Sequence, residues 1–413
     1  VKILSPNERV MCNNGESEKM QMKILEIISL GYVAGGAENT IVQITPYLLD
    51  KGHSVKILAS DLGVDKKQFN DYIFKNINHT GPLKLLFFLF NPYAFFTLRK
   101  VLKEYKPDIV HLHTMNQLTP SVLFLLKKYP TVMTLHGPES FLRNLLLWFL
   151  LPAHFKQHLY DQKDLNLAGK FTYFYFNSIQ KVLYNIGLKN VDIFIAPSKY
   201  MQNQAKSDVS PIIHVSNFIE LRTFHTLKNN YNVLFVGRLE QVKGIELLIQ
   251  ALPLIIQAFP QTTLTIVGDG STKANLLDLT TRLQLEQSVH FTGWIENKDL
   301  DSYYEKASIV VVPSTCAEAF GLVILEAMSV GRPVIATKVG GIPEIIDDGV
   351  DGYLVEPNNA EQIAERAIRL FSQGELLTEL GRNARKKAEK FTIEKYVENL
   401  EKVYEMILST YTV

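Results

Sequence analysis

Two clusters in the second half of the chain have the residue types and spacing to do chemistry. The first is Gly237-Arg238-Leu239-Glu240-Gln241-Val242-Lys243-Gly244. Arg238 offers a planar fork of N–H donors and Lys243 a compact point charge, and two cations in one loop suit a diphosphate. Each unit pair at ~4 Å contributes roughly 4 kcal/mol of gross Coulomb energy at an effective dielectric near 20, before desolvation. The second cluster is Glu318-Ala319-Phe320-Gly321-Leu322-Val323-Ile324-Leu325-Glu326. A helix opening near Gly321 would turn its free N–H groups and positive dipole end toward an anion. Glu326 then lies about 7.5 Å along the axis, roughly the reach from a diphosphate to the ribose of the same nucleotide. Glu318 stands before the helix, on the side where a phosphate-linked group would project. Carboxylates accept hydrogen bonds from vicinal hydroxyls, in ribose and hexose alike. Glu326 sits in an apolar stretch where an unpaired charge is costly, which argues for a bound role over a solvated one.

Such residues need a scaffold, and the hydrophobic pattern supplies one. Residues 23–29 read as a strand, followed by a loop with Gly31, Gly35 and Gly36 and a helix over 37–51. Further strands are predicted at 53–59, 108–113, 131–135 and 191–196, and the pattern restarts at 233–237, 264–267, 289–292, 309–312 and 333–337. Strands separated by helices imply parallel sheets with helices on both faces. The fold class expected is α/β, with two Rossmann-like domains over 22–200 and 201–390 and a break in the turn-rich stretch 197–230. A charged helix, 391–413, closes the chain and is expected to pack back on the first domain. Arg238 and Glu318 follow predicted strands, the place where open α/β sheets bind ligands.

Composition excludes other classes. The chain has 413 residues, 46% hydrophobic and 21% charged, as in globular proteins. Cys12 and Cys316 cannot make a disulfide framework, which points to a reducing, cytoplasmic setting. No apolar run reaches the about 20 residues of a spanning helix. Residues 1–21 are polar and aperiodic, expected as a disordered extension or a start-site artefact. Residues 22–200 carry 20 Lys and Arg against 12 Asp and Glu, so a basic half joins an acidic one whose counts are 20 and 27. Gly268-Asp269-Gly270-Ser271-Thr272-Lys273 has Lys where the dinucleotide fingerprint needs its third Gly, and no P-loop occurs. Neither a dehydrogenase nor a P-loop NTPase is supported.

Taken in order, the fragments resemble a retaining glycosyltransferase of family 4, the group 1 type with a GT-B fold. The likeness runs from Met22 onward. It includes Gly35-Gly36-Ala37-Glu38, His111-Leu112-His113, Thr134-Leu135-His136-Gly137, Gly237-Arg238-Leu239 with Lys243-Gly244, and Val267-Gly268-Asp269-Gly270. The Glu318…Glu326 pair, Pro333-Val334-Ile335-Ala336-Thr337 and Gly340-Gly341-Ile342-Pro343-Glu344 complete it. The resemblance implies that Arg238 and Lys243 hold the donor diphosphate, Glu326 the ribose hydroxyls and Glu318 the sugar hydroxyls. Backbone of Ala319, Phe320, Gly321 and Leu322 completes that site, and Gly35 and Gly36 close on the donor from the first domain. His136 is the first-domain histidine near the reacting sugar, with His111 and His113 as core residues or supports behind it. One departure occurs: Ser216-Asn217-Phe218-Ile219-Glu220 replaces the family's Pro-Asn-Gly-Val-Asp hinge turn, with Phe218 where Gly would tolerate φ > 0.

The function implied is transfer of a hexose-type sugar from a nucleotide-diphosphate sugar to a saccharide or lipid-linked acceptor. No cofactor or metal is expected beyond that co-substrate, because no Asp-x-Asp motif stands beside a nucleotide loop and cations can neutralise the leaving group. Nucleic acid is not an expected partner. Two apolar runs flanked by cations, 84–100 and 141–152, motivate a peripheral contact with anionic membrane, at its inner face. The alternatives are a nucleotide-sugar 2-epimerase of the same fold and a catalytically inactive sugar-nucleotide-binding protein.

Overall fold

The computed structural model describes residues 20–411 apart from 34, 64, 77–85, 88, 116–117, 138–173 and 175. Two wholly parallel sheets form the frame. The first contains β1 Lys23–Leu30, β2 Ser54–Ser60, β3 Tyr72–Phe74, β4 Ile109–Leu112, β5 Thr131–Thr134, β6 Ile193–Ala196 and β7 Ile212–His214. Its order is β3-β2-β1-β4-β5-β6-β7. The second contains β8 Asn232–Val236, β9 Thr263–Val267, β10 Val289–Gly293, β11 Ile309–Val312, β12 Val334–Thr337 and β13 Gly352–Val355, in the order β10-β9-β8-β11-β12-β13. The strand order reverses beside β1 and again beside β8, and each reversal opens a crevice at the carboxyl ends of the strands. Runs such as the Ile-Val-Val-Val of β11 are apolar throughout because both faces of a parallel sheet are covered.

The domain boundary at residue 200 needs correction. Ile212–His214 pairs parallel with β6, so the first sheet runs past residue 200. The turn-rich stretch from 197 hides a seven-residue helix and this three-residue strand, both too short to leave a period in the sequence.

Six helices bear on the site or its support: α1 Gly36–Asp50, α2 Pro92–Tyr105, α3 Lys199–Ala205, α4 Ile245–Ala258, α5 Leu322–Ser329 and α6 Ile393–Tyr411. Helix α6 returns from the second domain and covers one face of the first sheet. Its Ile393, Tyr396, Val397, Leu400, Val403, Tyr404 and Ile407 recur at helical spacing and meet Ile24, Ile44, Leu48, Ile109, Val132 and Ile193. Each fully buried aliphatic side chain contributes roughly 1.5–3 kcal/mol, so this seam is a major part of the first domain's core. At the crossing, the Ile219 N–H donates to the Phe391 carbonyl at 2.8 Å. Phe218 has no positive φ. It is buried, with its ring 4.7 Å from that of Tyr396. The hinge therefore replaces a flexible glycine with a core contact.

The run 84–100 enters α2, whose Asn91 cap accepts the N–H groups of Tyr93 and Ala94 at 3.1 and 3.2 Å. Ala94, Leu98, Val101 and Leu102 face the core, while Tyr93 and Phe96 stay exposed. Run 141–152 lies outside the described residues, as do residues 1–19. Among the described residues no helix is long and apolar enough to cross a membrane.

Candidate active site

Strand β8 ends at the loop that carries Arg238 and Lys243. The chain then tightens into a 3-10 turn over Gln241–Lys243, and Gly244 leads into α4. This turn separates the two cations. Lys243 swings to the end of β11, where its Nζ donates to Glu318 Oε1 at 2.6 Å. Ser314 Oγ donates to the same oxygen at 2.6 Å. Arg238 points outward, 71% exposed, and its Nη1 donates to Glu240 Oε1 at 2.9 Å. Lys243 and Glu318 thus form one unit, and Arg238 stands apart from it.

The loop holding Glu318 is fixed by its backbone. Gly341 N–H donates to the Glu318 carbonyl at 2.8 Å. Gly340, at φ 59°, lies so close that a Cβ there would fall 2.2 Å from that same oxygen, which only glycine avoids. Gly321, at φ 107°, turns the chain into α5 with no side-chain cap, leaving the first N–H groups to another acceptor. Phe320 is buried against Phe391, with ring centroids 5.9 Å apart. Ala319 accepts a hydrogen bond from Ser198 Oγ of the first domain at 2.7 Å. Glu344 reciprocates across the cleft, its carboxylate accepting the N–H groups of Lys199 and Tyr200 at the start of α3 at 2.8 and 2.7 Å. On the same side, a Cβ built on Gly36 would touch Leu322 Cδ1 at 3.4 Å, and Asn39 N–H donates to the Gly35 carbonyl at 3.2 Å. The Gly35-Gly36 turn is therefore against the start of α5.

Glu326 is held by other partners. Its Oε2 accepts the Tyr304 hydroxyl at 2.7 Å and lies 3.9 Å from Arg222 Nη2. Burial raises its pKa, with Arg222 and Tyr304 pulling the other way. It lines a cleft of about 390 Å³ with Asn39 and Gln43 of α1, Arg222, Asp301 and Leu322.

The first domain contributes a different kind of cluster. Strand side chains alternate between faces, so Ile24 and Glu26 share the face covered by α6. Ile109, His111 and His113 continue the row on β4, and Val132, Thr134 and His136 on β5. Apolar residues occupy the lower part of this face and polar ones the carboxyl ends. Glu26, His111 and His113 are fully buried, and His136 is half-buried at the end of β5. Glu26 Oε2 lies 2.6 Å from His113 Nε2 and 3.3 Å from His111 Nδ1. His113 Nδ1 lies 2.8 Å from His136 Nε2. His111 Nδ1 meets the Tyr404 hydroxyl and its Nε2 meets Thr134 Oγ1, both at 2.7 Å. Ligand atoms of Glu26, His111 and His113 lie within 4.8 Å of one another. All four ring nitrogens of the two histidines have a hydrogen-bonding partner.

Burial pushes the Glu26 pKa up, but His111 and His113 overturn this and hold it well below the usual carboxylate range. Burial, with His111 beside it, pushes His113 down to about 4 despite Glu26. His136 is likewise held well below its ordinary value by burial and by His113 and His111. The two rings are neutral at pH 7 and the carboxylate is charged.

Sequence reasoning missed Glu26, Ser314, Arg222, Tyr304 and Ser198. Only Glu26 left a signal: a carboxylate in step with Ile24 and Ile28 on a strand that is otherwise apolar between Lys23 and Ser29.

Comparison with known proteins fits this geometry. A family model for glycosyl transferases group 1 matches residues 218–387, and one described as Glycosyltransferase Family 4 matches residues 34–223. An uncharacterized glycosyltransferase of Methanocaldococcus jannaschii is 28% identical over 346 residues, covering 83% of this chain and 87% of its own. The N-acetyl-alpha-D-glucosaminyl L-malate synthase of Bacillus anthracis is 32% identical over 242 residues, 55% of this chain and 62% of its own. Anabaena HepE, solved in complex with UDP and glucose, superposes with a TM-score of 0.67 at 22% identity, covering 94% of this chain and 100% of its own. Matched by the two models in turn from residue 34 to residue 387 and built on two parallel sheets in the GT-B manner, the chain is similar along nearly its whole length to the group 1 glycosyltransferases.

Proposed function

We propose that the chain moves a hexose-type sugar from a nucleotide-diphosphate sugar to a saccharide or lipid-linked acceptor, with retention and without a divalent metal. The main support is the Lys243–Glu318 pair at the carboxyl ends of β8 and β11, directly ahead of α5. Lys243 and Arg238 meet the diphosphate, and the N–H groups at the start of α5 add donors where charge grows as the bond to the anomeric carbon breaks. Glu318 takes sugar hydroxyls, Glu326 takes the ribose, and His136 stands on the first-domain side of the sugar. The acceptor hydroxyl attacks the face the diphosphate leaves. Its oxygen bonds to the anomeric carbon as the phosphate oxygen departs, and that phosphate takes the acceptor's proton.

The UDP and glucose held by HepE make uridine diphosphate sugars the first donors to try. Thermal-shift screening against UDP, GDP and ADP and their sugars tests the donor site, since a ligand at 100 times its Kd adds about 2.7 kcal/mol. Silence for every nucleotide, with no transfer or donor hydrolysis over a panel of acceptors, would overturn the assignment. A lipid-linked acceptor brings with it a cytoplasmic site of action at an anionic membrane surface. Exposed Phe90, Tyr93 and Phe96, near Arg99 and Lys100, suit such a contact. Flotation with anionic liposomes at two salt concentrations checks it, and a protein that stays unbound at low salt acts on a soluble acceptor.

A further inference from the structure

We infer that Glu26 and His113 are positioning residues, a relay that decides which ring nitrogen of His136 carries the proton. This rests on His136 standing beside the donor sugar. Nothing in the packing of β1 asks for a carboxylate at residue 26. Ile24 and Ile28, on the same face, are fully buried and apolar, and a further aliphatic residue would avoid the desolvation penalty that a buried ion carries. The carboxylate is retained where three histidines converge.

The order of the contacts gives the relay a direction. Ionised Glu26 can only accept, so the His113 Nε2 that lies 2.6 Å away must be N–H. A neutral His113 then has a bare Nδ1, and the His136 Nε2 at 2.8 Å must donate to it. His136 is left with an unprotonated Nδ1, which has no partner among the described residues. This atom is an acceptor, suited to a hydroxyl of the donor sugar. Without Glu26 the hydrogen bond between the two rings could run either way, and the sugar-facing nitrogen would alternate between acceptor and donor.

The surroundings keep that direction. His111 faces Glu26 from β4 with Thr134 on its far nitrogen, while Tyr404 and Tyr396 of α6 close the face from above. The tyrosines are held neutral by burial, Tyr404 well above its ordinary value and Tyr396 pushed beyond the usual range. Glu26 is therefore charged at neutral pH while the rings of His113 and His136 are neutral, and it sits at the far end of the relay from His136.

Nitrogen NMR on histidine-labelled protein at pH 7.5 reads the relay directly, with no substrate present. The expected spectrum shows His136 protonated on Nε2 and bare on Nδ1. Glu26→Gln keeps the volume but can donate an amide N–H to His113, reversing both rings, as an equivalent carboxylate-to-amide change does in the serine-protease triad. In that variant the His136 proton should move to Nδ1. Hydrolysis of UDP-glucose should fall tenfold or more in kcat, with KM within threefold. A wild-type His136 protonated on Nδ1 overturns the relay. So does a Glu26→Gln protein with a lower Tm but an unchanged tautomer and kcat, which would make Glu26 a packing residue. If wild type turns over no nucleotide sugar while its tautomer is as expected, the transferase assignment fails and the catalytic part of this inference fails with it.

Discussion

The polar clusters of the two domains are built on opposite terms. On the second domain, Lys243 and Glu318 keep about a quarter and a fifth of their side-chain surface in solvent, at 25% and 20%. On the first, Glu26, His111 and His113 keep none. An ion pair in contact with water is worth little by itself and breaks at little cost. It can therefore exchange its internal partner for a phosphate or a sugar hydroxyl. A buried pair is costly to disturb, so it fixes geometry without touching ligand. On the proposed roles, the contrast is between groups that bind and groups that orient.

The contrast is tested hardest on the binding side. Replacing Lys243 with Ala should lower turnover about 10²- to 10³-fold, the scale expected when one preorganised donor to the developing charge is lost, and replacing Glu318, which holds Lys243 in place, should cost a similar amount. Because the two act as a unit, the double variant should be little worse than either single one. Fully additive losses in a double-mutant cycle would show that they act separately.

The orienting side should show itself in acid. His113 takes up a proton near pH 4 when folded and near 6.5 when unfolded. Between those values the unfolded chain binds more protons, so stability is full above 6.5 and falls as pH drops toward 4. Glu26, whose carboxylate is also held low, loses stability in the same direction. The loss should reach about 3 kcal/mol for His113 alone. Denaturant titrations at pH 7 and pH 4.5 measure it, and a His113→Gln protein should show a flatter pH dependence. An equal slope in both would remove His113 from the account.

Smaller effects sharpen the division within the second domain. Glu326→Ala should weaken binding of free nucleotide diphosphate about tenfold, or ~1.4 kcal/mol by calorimetry. Glu318→Ala should leave that affinity nearly intact. If both variants lose nucleotide equally, the ribose and sugar roles are not divided. Arg238→Ala should cost less nucleotide affinity than Glu326→Ala, about threefold, because in the free protein it is a solvated side chain whose partner among the described residues is Glu240.

The same division governs what the sequence could reveal. The candidate residues of the second domain stand out in the sequence because a loop after a strand must carry its glycines and charges at fixed short spacings, as in Gly237–Gly244 and Glu318–Glu326. What spacing cannot tell is direction. Arg238 and Lys243, five residues apart, read as one clamp, yet the 3-10 turn over Gln241–Lys243 sends Lys243 to a residue 75 positions away. The Glu26 network is harder still. Its partner His113 is 87 residues distant, and one carboxylate in an apolar strand looks like any solvent-facing position until the returning helix is known to cover that face. Strand β7 was hidden for a simpler reason, since three half-buried residues carry no alternation.

The return of α6 also sets an order of assembly. As a chain leaves the ribosome its early domains generally fold first. Here the first sheet cannot close one face until residues 393–407 have emerged, because Ile24, Ile44, Ile109 and Val132 wait for them. The domain begun first is thus completed last. Until then an apolar face the length of α6 stands open beside Glu26 and His111, and a nascent chain stalled before residue 393 offers a docking surface to chaperones.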